Sequence, residues 1–515
     1  MNRTVSRRSF LKKSAVSVFG FSVLPSYLAL GKVETLEVNP QSRRGDVVGI
    51  DPHAASGDEA VNRSQDKPNI ILFISDDHGW QDSGCYGDGD VHTPNIDRLA
   101  KEGMRFMHGF AASPLCSPSR SVIATGMMPH RSGAHKFGAP IKRDLRTMSQ
   151  YMKELGYHTA HVGKLHVSPL QKFPYDDVID RYAIPRGNKY ESKAPDFIRE
   201  YDRKEPLFLV VCTHPPHTPW KKNTTYDPAT LDLPPNFVDT PETRSDRANY
   251  YTDVTLMDKI VGEVLDAVKE KGMADNTLFV YTTDQGAQWP FAKWCVYDGG
   301  LRVPLIARWP GKVEAGSVSD AMLCLVDLLP TFMEACGGNP PAELDGRSFL
   351  AVLAGDKKTH REVVFGSHTG NDGAAGIANY CPARTIRTRT HRYILNLQPG
   401  TQFDTHITGC VDGTSYWKTW VERAKTDSKA REIVLRYQHR PAEELYDLDA
   451  DPWEMRNLVG KPEHAELLKD LRERLAVWCR QQGDDLAVER LAELGAKGGR
   501  EGGAGAASGS AARSC

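Results

Sequence analysis

From Pro68 onward the chain alternates short apolar runs with amphipathic stretches. NIILFIS (69–75), PLFLVVCTH (206–214) and NTLFVYTT (276–283) have the length and composition of buried strands, and each ends abruptly at a polar group. TPNIDRLAKEG (93–103) predicts a helix, with Thr93 as N-cap, Pro94 at the first helical position and Gly103 as the stop. SQYMKELG predicts another helix that turns at Gly156 into the strand HTAHVG (158–163). A long amphipathic helix follows, with Val254, Met257, Ile260, Val261, Val264 and Val268 at three- and four-residue spacing. Apolar strands alternating with helices predict an α/β domain with a mostly parallel central sheet flanked by helices. In such sheets ligands sit beyond the carboxyl ends of the strands. The polar residues fall there: Asp76 and Asp77, Lys164 and His166, His214 and His217, and Asp284.

The pattern changes near residue 360. Short strands (REVVFGS, HRYILNL) lead into PAEELYDLDADPWEMRNL and a final helix with Leu468, Leu471, Leu475 and Trp478 on one face. This divides the chain into a larger domain at 68–360 and a smaller C-terminal α+β subdomain with an antiparallel sheet at 361–490. Residues 32–67 are a polar linker, and the Gly/Ala/Ser-rich 491–515 is expected to be disordered. Residues 1–31 match a twin-arginine signal peptide: SRRSFLKK precedes an apolar run. That run is diluted by Gly and Ser and broken by Pro25, which disfavours a membrane anchor. The expected route is folding, export by the twin-arginine translocase, and release into the periplasm or medium with no stable membrane span.

Composition narrows the partners. The 515 residues suffice for two or three domains, and 65 basic against 66 acidic side chains give no global attraction for nucleic acid or an anionic membrane. An anionic substrate must therefore be held by a local cluster. Ten cysteines are scattered without a CxxC or zinc-finger spacing, so buried free thiols are the default, although export permits disulfides.

Asp76 and Asp77 are either ordinary turn aspartates or two of the ligands of a hard divalent cation. Asp284, at another strand end and followed by the neutral oxygen donor Gln285, favours the metal reading, with calcium or magnesium preferred over zinc. DLDAD (447–451) fails as a calcium loop because Pro452 and Leu458 replace the required Gly and Glu, which leaves it as a turn. Arg120, Lys164, His166, His217 and Lys293 would together make a basic pocket suited to a tetrahedral oxyanion, phosphate or sulfate. Pro215, Pro216 and Pro219 stiffen the loop that presents His217, and Lys164 and His166 face the same way if GKLH is extended.

Cys116-Ser117-Pro118-Ser119-Arg120, followed by Thr125-Gly126, resembles the signature of the formylglycine-dependent sulfatases. Asp76-Asp77, GKLH, the Pro-His-x-Pro loop, Asp284-Gln285-Gly286 and Lys293 ahead of YDGGLRVP match that family in order. The resemblance covers roughly residues 68–480 and implies an alkaline-phosphatase-like fold. It also implies that a formylglycine-generating or radical maturase oxidises Cys116 to an aldehyde whose hydrate is the nucleophile. Asp76, Asp77, Asp284, Gln285 and the modified residue 116 would hold calcium, with magnesium the second choice. Arg120 would orient the hydrate, Lys164 and Lys293 would neutralise sulfate oxygens, His217 would serve the leaving group, and His166 would act as base when sulfate is expelled. Gln285 departs from the Asn usual in the family, and its extra methylene would adjust the coordination.

GKLHVSP with a following FPYD, VVFGSH (363–368), HRYILNL and the last helix are similar to the heparan N-sulfatase branch. This implies a sulfated glycan substrate, with N-sulfate on glucosamine ahead of O-sulfate on another polysaccharide. Two rivals stand beside it: a phosphate or phosphonate ester hydrolase with the same pocket, and a non-catalytic sulfated-glycan-binding protein if Cys116 stays a thiol.

Overall fold

The computed structural model describes residues 67–503 except 182–187, 224 and 371–378. The predicted signal peptide and all but the last residue of the predicted linker lie outside the described residues. In chain order the strands of the first sheet are β1 (Asn69–Ser75), β2 (Met104–Phe110), β3 (His158–Gly163), β4 (Asp177–Ile179), β5 (Leu207–Cys212), β6 (Thr277–Thr283), β7 (Arg302–Arg308) and β8 (Ser317–Cys324). They lie in the spatial order β4-β3-β5-β1-β6-β7-β2-β8. All neighbours pair in parallel except β7, which runs against both β6 and β2. The predicted α/β sandwich is thus present, with one strand inverted.

The central strands are apolar throughout because both of their faces are covered. All residues of β5 and β6, and all of β1 after Asn69, are buried. The long helix Pro241–Glu270 buries the predicted Val254, Met257, Ile260, Val261, Val264 and Val268. Thr93 stands at the N-cap of helix Pro94–Glu102 as expected, but its hydroxyl accepts the Gly84 N–H (2.9 Å) instead of capping the helix. All nine cysteines among the described residues are free thiols.

The second sheet comprises β9 (Val364–His368), β10 (Ala383–Arg387), β11 (His391–Asn396) and β12 (Glu443–Asp447), all antiparallel in the order β12-β11-β10-β9. Helix Ala465–Gln482 buries Leu468, Leu471, Leu475 and Trp478, and Trp478 stacks on Phe365 of β9 at 4.8 Å. DLDAD is a turn, in which the Asp447 carboxylate accepts the N–H groups of Asp449 and Ala450. The expectation of disorder from residue 491 is corrected, because a helix runs from Asp485 to Gly503; residues 504–515 lie outside the described residues. Ala487 and Leu491, one turn apart, are buried in the same cluster as Leu475 and Trp478. The Gly-rich composition further along hides that short apolar stripe.

Asp298 ties the second sheet to the first. Arg387 of β10 donates twice to its carboxylate (2.9 and 3.0 Å), Arg392 of β11 donates as well, and Glu454 accepts the Asp298 N–H at 2.7 Å. Burial opposes ionisation of Asp298, but Arg387, Arg392 and Arg302 hold its carboxyl far below the usual carboxylate range. A depressed native pKa stabilises the fold above the unfolded value near 4, and this contribution is lost on acidification below it. Asp298→Ala leaves the buried Arg387 without a carboxylate and Arg392 with Glu454 alone, and should destabilise the protein by about 3–5 kcal/mol at neutral pH. Urea unfolding at pH 7 measures this, and a loss under about 1 kcal/mol would contradict it.

Candidate active site

Four adjacent strands of the first sheet end level with one another. Ile74 pairs with Cys212, Ser75 with Thr283, and Gly163 with Cys212, so the loops after β1, β3, β5 and β6 open onto the same edge. Two more bonds hold the rims together: the Asp284 N–H to the Ser75 carbonyl (3.2 Å) and the Lys164 N–H to the Cys212 carbonyl (3.3 Å). Gly163 has φ +92°, and a Cβ there would lie 1.8 Å from the Cys212 carbonyl oxygen, so only glycine permits this approach.

Asp76 and Asp77 would point to opposite faces in a continued strand. The chain leaves β1 instead, with Asp77 at φ 67°, and its N–H donates to Asp284 Oδ1 at 3.2 Å. Both carboxylates thereby turn toward the end of helix Cys116–Thr125. Cys116 is the first residue of that helix, and Gly126 closes it in the left-handed conformation at φ 64°. The Ser119 hydroxyl fastens the helix to the end of β6 by donating to the Asp284 carbonyl at 2.5 Å. Arg120, one turn beyond Cys116, donates from Nε to Asp284 Oδ2 (2.9 Å) and from Nη1 to the Lys164 carbonyl (2.9 Å).

The resulting constellation alternates sign. Asp76, Asp77 and Asp284 are fully buried, and so, within a few per cent, are Arg120, Lys164 and Lys293. Lys164 Nζ donates to Asp76 Oδ2, Lys293 Nζ to Asp77 Oδ2 at 2.6 Å, and Arg120 Nη2 lies 3.5 Å from Asp76 Oδ1. Cys116 Sγ sits among them, 3.6 Å from Asp76 Oδ1 and 3.2 Å from Gln285 Nε2. Burial pushes its thiol up to about 12. This is the reverse of an activated cysteine, whose thiol would be lowered.

The carboxylates remain short of positive charge even beside three cations. Burial pushes Asp284 up to about 7 and raises Asp77, the latter against the pull of Lys293. Burial also acts on Asp76, but Lys164, His217 and Arg120 hold it well below the usual range. Gln285 donates its amide nitrogen to Asp77 Oδ1, while its Oε1 is buried with no hydrogen-bond partner. A divalent cation fits this donor set: three carboxylates, plus an amide oxygen that turns inward on a flip of the side chain. Ligand atoms of Asp76, Asp77 and Cys116 lie within 4.8 Å of one another.

The histidines line the same opening. His217 donates from Nδ1 to the Thr218 carbonyl (2.6 Å), which leaves Nε2 facing Asp77 Oδ2 at 3.7 Å. Burial, together with Lys293 and Lys164, lowers it to about 3. His166 has φ 47°, so GKLH is not extended there; the backbone kinks and sets the ring edge-on to Phe137 at 5.2 Å. Burial followed by the charges of Lys164 and Arg120 lowers His166 to about 2, and its Nδ1 is buried without a hydrogen-bond partner. All ten residues singled out from the sequence thus gather at one edge of the sheet.

Two residues without an assigned role join them. His214 packs against His217 at 5.0 Å, and its ring nitrogen lies within metal-binding reach of Asp76 and His217. It was visible as a strand-end residue without an assigned role. Gln288 accepts the Thr218 hydroxyl at 3.0 Å and lies 3.5 Å from Lys293 Nζ. Only its position between Asp284 and Lys293 could have flagged it.

Residues 68–338 match the family model described as Sulfatase, which is more than half of the chain. The chain belongs to the sulfatase family. Residues 286–404 of this sulfatase also match the model described as N-sulphoglucosamine sulphohydrolase, C-terminal. It is 32% identical over 445 residues to an ulvan-active sulfatase of Formosa agariphila, covering 84% of each chain. It is 28% identical over 458 residues to the N-sulphoglucosamine sulphohydrolase of Homo sapiens, covering 80% of this chain and 89% of that protein. A structure solved with its substrate D-glucosamine-2-N,6-O-disulfate shares the fold, with TM-score 0.62 and 23% identity over 81% of this chain and 98% of that one. As a sulfatase, the protein is a sulfuric ester hydrolase.

Proposed function

We propose that this sulfatase removes sulfate from a sulfated glycan, with Cys116 converted to formylglycine and calcium held by Asp76, Asp77, Asp284 and Gln285. One observation carries the reading: three buried carboxylates and three buried cations surround one residue at a helix start. With the histidines neutral, these six charges cancel. A divalent ion then leaves two positive charges, which a sulfate monoester or sulfamate (one negative charge) and an ionised attacking hydroxyl neutralise together.

When bound, the formylglycine hydrate supplies the attacking hydroxyl and calcium favours its ionisation. The chain's own side chains do the rest. Lys164 and Lys293 bind and neutralise the sulfuryl oxygens as charge-assisted donors. Arg120, fixed by Asp284 and the Lys164 carbonyl, orients side chain 116. His217, anchored through Nδ1, carries a proton at Nε2 toward the departing oxygen or nitrogen. His166, held neutral, accepts a proton when sulfate is released.

N-sulfate on glucosamine is the leading substrate, supported by the match of residues 286–404 to the sulphohydrolase model and by the human relative. An O-sulfated polysaccharide is the second reading, favoured by the higher identity to the ulvan-active relative. The arginine-pair motif at Arg7-Arg8 supports maturation in the cytosol followed by twin-arginine export to the periplasm or medium. Among the described residues no helix is long and apolar enough to cross a membrane. Turnover of matched sulfamate, sulfate and phosphate monoesters tests the charge argument. Sulfate or sulfamate should exceed phosphate monoester by at least about 100-fold in kcat/KM, equivalent to about 2.7 kcal/mol. A phosphate preference would overturn the reading.

A further inference from the structure

The loop that presents His217 is poor in backbone donors, because Pro215, Pro216 and Pro219 carry no N–H. Its conformation is instead fixed through its carbonyls, each captured by a side chain. Thr213 Oγ1 donates to the Pro215 carbonyl (3.1 Å), Trp220 Nε1 to that of Pro216 (2.8 Å), and His217 Nδ1 to that of Thr218. The remaining two belong to one cation. Lys189 Nζ donates to the carbonyls of His217 (3.2 Å) and Pro219 (2.7 Å).

Lys189 is itself oriented. Its ammonium pairs at 2.9 Å with Asp253 Oδ2, on the long helix Pro241–Glu270, and the Asp253 side chain is wholly buried. The other Asp253 oxygen accepts the Tyr190 hydroxyl and the Lys221 N–H, both at 3.0 Å. The long helix and the histidine loop therefore meet at the Lys189 ammonium group, whose three donors are all used.

We infer that Lys189, oriented by Asp253, is a positioning residue that holds His217 Nε2 in line with the leaving group. This rests on the proposed role of His217. The imidazole is fixed at two points: Nδ1 by the carbonyl of the next residue, and its own backbone by Lys189. If the ammonium is removed, the His217 and Pro219 carbonyls lose their tie to Asp253 of the long helix, and the ring between them can swing. Proton delivery tolerates little such movement, since a shift of about 1 Å costs up to 100-fold. The effect depends on the leaving group. A sugar oxygen or nitrogen needs a proton as its bond to sulfur breaks, whereas 4-nitrophenolate departs without one.

The test compares Lys189→Met, Lys189→Arg and His217→Ala in the full-length matured enzyme. Substrates are the sugar sulfate the enzyme turns over best and 4-nitrophenyl sulfate. Lys189→Met should lower kcat on the sugar sulfate by about 10- to 100-fold, leaving KM and aryl sulfate turnover within about threefold. Lys189→Arg, which keeps the cation and several donors, should restore most of the loss, and His217→Ala should reproduce the selective defect more strongly. Equal loss on both substrates in Lys189→Met, or no loss, while His217→Ala stays selective, overturns the positioning role alone. A His217→Ala variant without leaving-group selectivity overturns the reading of His217 itself.

Discussion

Cys116→Ala is expected to abolish turnover of 4-nitrophenyl sulfate, by about 10⁶-fold if the loss matches that of other covalent nucleophiles. Stability should hardly change, because the substitution removes one sulfur from a helix whose anchors lie elsewhere. Ser119 still docks on the Asp284 carbonyl, and Arg120 still bridges Asp284 and Lys164. The variant therefore separates chemistry from folding. Mass spectrometry of the peptide spanning residue 116, from active enzyme made in its native host, supplies the positive control. The peptide should carry an aldehyde or its hydrate. An intact thiol in active material would sink the proposed nucleophile, and an intact thiol in inactive material would favour a glycan-binding role. A thiol held near pKa 12 by burial is a poor nucleophile, which is why the unmodified residue is not expected to suffice.

Removal of divalent metal should have the next largest effect. Exhaustive chelation is expected to abolish activity, with calcium restoring it better than magnesium, because oxygen donors of mixed charge suit the larger ion. A second readout needs no catalysis. Calcium at about 100 times its dissociation constant should stabilise the native state by about 2.7 kcal/mol, seen as a rise in melting temperature. Gln285→Ala removes the neutral donor and should raise the calcium concentration for half-maximal stabilisation by roughly tenfold or more. If neither chelation nor calcium alters activity or melting, the acidic cluster is an ion-pair network without a metal.

Much of this arrangement was legible before any coordinates. The runs at 69–75, 207–212 and 277–283 declare themselves because strands covered on both faces need apolar side chains at every position. Their polar ends give the site, since the loops of a parallel sheet open on one edge. The inversion of β7 was not legible: a seven-residue buried strand reads the same in either direction. Nor was the kink at His166, because no glycine marks the position where φ reaches 47°. Lys189 and Gln288 escaped notice for a related reason. Each acts on a loop distant in sequence, and a lone lysine or glutamine carries no spacing signal.

The placement of Cys116 has a temporal consequence. Its side chain is 3% exposed and its backbone is committed to the first turn of a helix. Under the proposed conversion of Cys116, the oxidising enzyme would need access to that side chain before the helix closes over it, and so would act on chains that have not yet folded. On that proposal two first-order processes would compete for each newly made molecule, conversion and closure, and the active fraction would be set by the ratio of their rates. Mutations that accelerate folding would raise the yield of protein while lowering the fraction that works, and a chain that closes too soon must unfold to be converted.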